Sequence, residues 1–189
     1  LTHSAEEGLP MPMATHTKRW TLEELHSLPD DGNKYELIHG ELFVTPPPTD
    51  DHETGSARLT RLLDPYVAAN GLGYVYHPRA VVRFEGSEVE PDLMVRQRQT
   101  SRGADWDAAP IPVLVVEILS PSTRRRDRMQ KRDFYLEVGV SEYWIVDPER
   151  RTITSIAAGR EDRVAQVDIE WRPPGVATAL VIDVAEVFG

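Results

Sequence analysis

The spacing of apolar residues changes between helical and strand periods several times along this chain. TLEELHSLPDDG reads as a short helix, with Thr21 as N-cap, Glu24 completing a capping box and Pro29 stopping it. KYELIHGELFV is then a hairpin, two runs of strand-type residues around His39-Gly40, where glycine supplies the positive φ of a tight turn. The stiff run PPPTDD follows. Beyond it, Leu59, Leu62, Leu63, Tyr66 and Val67 recur at helical spacing, which predicts a helix over 52–70, capped by Asp50 or Asp51 and ending before Gly71. A strand over 73–84, a turn at Glu85-Gly86-Ser87 and a strand over 90–95 lead into a polar linker over 96–110. The second half predicts a strand over 113–119, a helix over 124–138 ending at Gly139, strands over 142–146 and 152–157 around an Asp147-Pro148 turn, and further short C-terminal strands.

The strand over 113–119 contains an anomaly. VLVVEIL reads as fully buried, yet it carries Glu117, and an isolated ionised carboxylate costs several kcal/mol or more to bury. Alternation puts Val113, Val115, Glu117 and Leu119 on one face. Glu117 thus projects near the strand's C-terminal end and requires a partner, a metal or a shifted pKa.

Composition narrows the candidates. A chain of 189 residues suits one domain, and that size buries enough surface to fold without staples. The expected organisation is a flexible N-terminal tail over 1–19, with Met11 and Met13 as alternative starts, and a single domain over 20–189. With no cysteine, disulfides, zinc ribbons and thiol nucleophiles are excluded, as suits a reducing compartment. No apolar run approaches the ~18 residues of a membrane span, so a soluble cytoplasmic protein is expected. The net charge of −10 argues against a general nucleic-acid coat protein. RRRDRMQKR, residues 124–132, reverses that sign locally, with five Arg and one Lys against one Asp.

Candidate chemistry gathers around Glu117. Asp92, in EPDLMV, is a second carboxylate in a second core-type strand, and two carboxylates suit Mg²⁺ or Mn²⁺, which take oxygen ligands and keep several waters. Asp127, Lys131 and Tyr135 stand at i, i+4 and i+8, one stripe of the helix that follows Glu117's strand, so Lys131 is a candidate ammonium for the site. Arg124, Arg125 and Arg126 crowd that helix's N-terminus, where the dipole disfavours cations, and an anion held there would account for them. Each residue also has a plainer structural role. Glu117 could be half of a structural ion pair, Asp92 a turn residue after proline, and Lys131 a solvated partner of Asp127. Glu36 could be an exposed strand residue, and His52 a helix-start residue satisfied by Asp50 or Asp51. His39 reads as turn chemistry, and of Tyr143 and Trp144, on opposite strand faces, at least one belongs to the core.

YELIHGEL, DDH at a helix start, EPDLMV and PVLVVEILSPSTRRRDRMQKRDFYLEVGVSEYWIVDP together resemble the Uma family. That bacterial family, designated endonucleases and long labelled a domain of unknown function, is a branch of the PD-(D/E)XK restriction-endonuclease-like superfamily. The resemblance runs from about residue 21 to the C-terminus and is strongest over 112–148. It implies an α/β (α+β) fold with a restriction-endonuclease-like core, a mixed central β-sheet flanked by helices, and a Mg²⁺ or Mn²⁺ site that hydrolyses phosphodiesters. Carried over by residue, it makes Asp92 and Glu117 metal ligands, Glu36 and His52 further site residues, and Lys131 the catalytic lysine. The superfamily's lysine lies two residues after the acid, and here that position is Leu119, so Lys131 must reach the site from the next helix.

The function expected is metal-dependent endonuclease action on DNA or structured nucleic acid, with Arg124, Arg125, Arg126 and Arg128 clamping phosphates. The alternative is a non-catalytic member of the fold that binds nucleic acid or protein, and a phosphoesterase of small substrates would suit the acidity but leave the Arg cluster less explained. A homodimer is compatible with cutting both strands of a duplex, and composition does not reveal one.

Overall fold

The computed structural model describes residues 18–99 and 105–189, so most of the expected tail, including Met11 and Met13, lies outside the described residues. Helix α1 (Leu22–His26) carries the capping box: Thr21 Oγ1 accepts from the Glu24 N–H at 3.2 Å, and Glu24 Oε2 accepts from the Thr21 N–H at 3.0 Å. Strands β1 (Lys34–Ile38) and β2 (Glu41–Thr45) form the hairpin. His39 and Gly40 both have positive φ, 49° and 81°, as a two-residue type I′ turn requires.

Helix α2 (Asp50–Ala69) starts earlier than the sequence pattern indicates, and its cap is Thr49 rather than either aspartate. Thr49 holds the extended cap backbone and accepts from the His52 N–H, while Asp50 and Asp51 fall in the first turn, where negative charge meets the positive end of the dipole.

Residues 73–84 are two strands, not one. β3 (Tyr74–Tyr76) belongs to the central sheet and β4 (Val82–Phe84) to a second, smaller one; Pro78, which has no N–H for a ladder, lies between them. Pro91 separates the next stretch in the same way, leaving β5 (Ser87–Val89) in the small sheet and β6 (Leu93–Arg96) in the central one. Within the expected linker, Trp106–Ala108 form a 3₁₀ turn.

β7 (Leu114–Ile118) is followed by α3 (residues 124–138), in which a π-helical stretch, Asp127–Lys131, interrupts the α-helix. Then come β8 (Tyr143–Asp147), β9 (Thr152–Ile156), β10 (Arg163–Ala165), β11 (Asp168–Trp171) and β12 (Leu180–Asp183). A final helix, α4 (Val184–Phe188), stands where the pattern suggested only strands. Its signal was Asp183, whose side chain caps the Ala185 N–H at 2.8 Å.

The central sheet has the order β10-β9-β8-β7-β6-β3, with β7 and β8 parallel and the other ladders antiparallel. The small sheet has the order β2-β1-β5-β4. A parallel pair needs a crossover, and α3 is that crossover. The fold is therefore α+β around a mixed sheet, as expected.

Both faces of the central sheet are covered. On one, Leu59, Leu63 and Val67 of α2 pack with Leu114, Val116, Ile118 and Trp144, and with Trp171, Ile182 and Val187 from the C-terminal ribbon and helix. On the other, Phe134, Tyr135 and Val138 of α3 and Ile38, Val82 and Val89 of the small sheet pack on Val115, Tyr143 and Ile145. Each fully buried aliphatic side chain contributes about 1.5–3 kcal/mol. Tyr143 and Trp144 do point to opposite faces, and both are core.

Candidate active site

Alternation along β7 turns Val115 and Glu117 toward α3 and the small sheet. There Glu117 Oε1 accepts two hydrogen bonds, from Lys131 Nζ and from the Tyr135 hydroxyl, each at 2.7 Å. The stripe Asp127, Lys131, Tyr135 therefore faces the sheet. Lys131 is completely buried and also lies 2.9 Å from Glu36 Oε1 and 3.8 Å from Asp127 Oδ1. The π-helical stretch ends at Lys131, and the Asp127 carbonyl within it accepts from the Tyr143 hydroxyl at 3.0 Å.

Glu36 comes from β1 and is wholly buried. Its Oε1 accepts from the Glu90 N–H at 3.0 Å, and Arg126 approaches its Oε2 at 3.4 Å. Asp92 sits just after Pro91, where the chain passes from the small sheet into the central one. The β6–β7 ladder ends at the pair Leu93 and Val116, and beyond it the Ile118 N–H donates to Asp92 Oδ2 at 2.8 Å. His52 Nε2, from the first turn of α2, lies 3.0 Å from the same oxygen. Asp92 Oδ1 accepts from Lys34 Nζ at 3.1 Å, and Lys34 also donates to the Glu90 carbonyl at 3.0 Å.

All five residues singled out in the sequence, Glu36, His52, Asp92, Glu117 and Lys131, thus line one connected region. Sequence reasoning missed Lys34, and it set Tyr135 on the Lys131 stripe without giving it a role at the site. Both had a signal: Lys34 is two residues before Glu36 on a strand, hence on the same face, and Tyr135 is four residues after Lys131 on a helix.

The electrostatics follow from burial and pairing. Burial raises Asp92, but the charge of Lys34 and the hydrogen bond from His52 outweigh it and hold the carboxyl well below its ordinary value. For Glu36, the charges of Lys131, Lys34 and Arg126 likewise overcome burial and lower it. Glu117 goes the other way. Burial dominates, Asp92 adds repulsion, and its carboxyl is pushed up to about 8 despite Lys131. One ammonium serves two carboxylates, and Glu36, with two further cations, keeps the negative charge. Burial works against a charge on Lys131, but Glu117 and Glu36 outweigh it and raise its value, so it is an ammonium at neutral pH. On His52, Asp92 outweighs burial and raises the imidazole.

The basic block divides. Arg126 is buried between Glu36 and Asp127. Arg124 and Arg128 donate to Asp147 Oδ2 at 2.7 and 3.0 Å, so an anion does sit near the start of α3, and it is the protein's own carboxylate at the end of β8. Arg125 is exposed.

Two carboxylates of hard oxygen chemistry, Asp92 and Glu117, suit an ion such as Mg²⁺ that keeps most of its waters. Among the described residues no group of three or more His, Asp and Glu side chains forms a cage for a metal. Nearby, Glu36 Oε2 and Asp127 Oδ1 are buried and accept no hydrogen bond, and Arg126 meets them only at ion-pair distance, 3.4 and 3.5 Å.

Among the described residues no helix is long and apolar enough to cross a membrane. Residues 22–185 match the Uma2 family, described as "Putative restriction endonuclease". No curated protein matches the chain. A solved structure described as a "putative nuclease", from Anabaena variabilis, superposes with a TM-score of 0.73 at 20% identity, covering 89% of this chain and 97% of the other. At that identity the likeness establishes the fold.

Proposed function

Because the chain belongs to the Uma2 family, we propose that it is a nuclease that hydrolyses phosphodiester bonds of DNA or structured nucleic acid with Mg²⁺ or Mn²⁺ at Asp92 and Glu117. The observation that carries this reading is the convergence of Glu36, His52, Asp92, Glu117 and Lys131 from β1, α2, the β5–β6 connection, β7 and α3 onto one buried network. Structural ion pairing alone requires no such gathering of acids.

When bound, the ion would polarise a non-bridging phosphate oxygen and lower the pKa of a bound water. The chain's own residues do the rest. His52 and the Ile118 N–H fix Asp92 Oδ2, and Tyr135 with Lys131 fixes Glu117 Oε1. Lys131, held as an ammonium, has no lone pair with which to take a proton, so its role is to stabilise negative charge developing on the phosphate. Arg125 is the exposed member of the basic block and the one open to a flanking phosphate.

A second reading, a binding protein of the same fold without catalysis, draws on the net charge of −10 and on the pairing of Asp92 and Glu117 with the protein's own lysines. One experiment separates the two. Single- and double-stranded DNA are incubated with wild type and with Asp92→Ala in Mg²⁺ or Mn²⁺, with a chelator control. The nuclease reading expects metal-dependent cutting that Asp92→Ala reduces by about two orders of magnitude or more. Absence of cutting by folded wild type on every substrate supports the binding protein.

A further inference from the structure

Lys34 holds a position that a cation would otherwise take. Its Nζ lies 3.1 Å from Asp92 Oδ1 and 3.0 Å from the Glu90 carbonyl oxygen. A carboxylate oxygen and a main-chain carbonyl are the donors a hard cation selects, and here they converge on an ammonium. The side chain is 16% exposed and Asp92's is 8% exposed, so the pair is poorly screened by water. Asp92's other oxygen is already engaged by the Ile118 N–H and His52 Nε2. Any cation binding Asp92 through a free oxygen must therefore meet Lys34.

We propose that Lys34 is a tethered counter-ion that competes with the divalent ion for Asp92, so that metal loading and Lys34 release are a single exchange. The inference rests on the assignment of Asp92 as a metal ligand. Lys34 and Lys131 then differ in kind. Lys131 is fully buried between Glu117 and Glu36, whereas the Lys34 side chain keeps partial contact with solvent. The exchange also keeps the acids neutralised when no ion is present, which lets the domain fold in the absence of metal.

Two measurements test it without reference to cleavage. The first is Mn²⁺ uptake, followed by loss of the free-ion paramagnetic resonance signal, for wild type, Lys34→Met, Lys34→Gln and Asp92→Asn. Removing the competing charge is expected to tighten Mn²⁺ binding by about tenfold or more in both Lys34 variants, the usual scale of coupling between competing ligands. Lys34→Gln, which retains a neutral N–H donor, guards against a packing effect in Lys34→Met. The second uses wild type alone: acetylation of lysines by an amine-reactive ester, read by mass spectrometry, should increase at Lys34 when Mn²⁺ is added and stay unchanged at Lys131. Mn²⁺ uptake that Asp92→Asn abolishes but the Lys34 variants leave equal or weaker overturns the exchange and leaves the metal assignment standing. Failure of every chain to take up Mn²⁺ overturns both, while uptake by the Lys34 variants alone supports the exchange in its strongest form.

Discussion

Glu117 is the side chain whose charge the fold resists. Its folded-state value is pushed up to about 8, above the 4.5 of a free glutamate, so the folded state holds the proton more tightly than the unfolded one. The stability that follows is fully present below about pH 4.5 and is lost as pH rises through about 8. Glu117→Gln, which cannot ionise, should be more stable than wild type at pH 9 by about 1 kcal/mol or more and equal to it near pH 4. Urea unfolding midpoints at the two pH values measure this, and a less stable variant at pH 9 would mean that Lys131 keeps Glu117 ionised after all. At this scale much of the site was legible. A carboxylate in an apolar strand demands a partner, and the helix stripe supplied Lys131 at the right spacing. Lys34 was overlooked because it stands beside a turn, where a lysine needs no explanation. Which Arg would be buried was not legible either, since four arginines among residues 124–128 look alike until the π-helical stretch and Asp147 sort them.

Helix α3 separates structural cations from those available to a ligand. Arg124 joins the start of the helix to Asp147 on β8, and Asp147 is fully buried. Arg124→Ala should therefore cost about 1 kcal/mol, discounted for the arginine's partial exposure and the remaining Arg128 and Arg150 contacts. That corresponds to a fall in Tm of about 2–4 °C. Arg125→Ala should leave Tm unchanged, weaken DNA binding and lower the salt dependence of that binding by about one ion. Thermal unfolding and fluorescence anisotropy at several salt concentrations check the pair; a stability loss at Arg125 instead of Arg124 would reverse the assignment. Element types were largely legible from period, but boundaries at prolines were not. The stretch over 73–84 read as one strand but changes sheets at Pro78, and the chain changes sheets again at Pro91, after a strand β5 that begins where the pattern indicated a turn, because a strand pattern records burial and not which sheet provides it. The second of those changes is what sets Asp92 at the junction.

Across the whole molecule, the acidic balance describes a protein that repels polyanions, and the basic block relieves that repulsion chiefly at Arg125, because its other cations are paired with the protein's own carboxylates. The site itself is shared between the two halves of the chain. Lys34, Glu36, His52 and Asp92 precede β7, while Glu117, Arg126, Asp127, Lys131 and Tyr135 lie on or after it, and the halves meet through the β6–β7 ladder. Neither half alone carries a complete set of acids and cations. A polypeptide cut between β6 and β7 would thus behave as a two-key device: each fragment expressed alone should bind no Mn²⁺ and leave DNA intact, and co-expression should restore both. Cutting by a single fragment would locate the chemistry elsewhere, whereas recovery only on mixing would make this protein a reporter of its own reassembly.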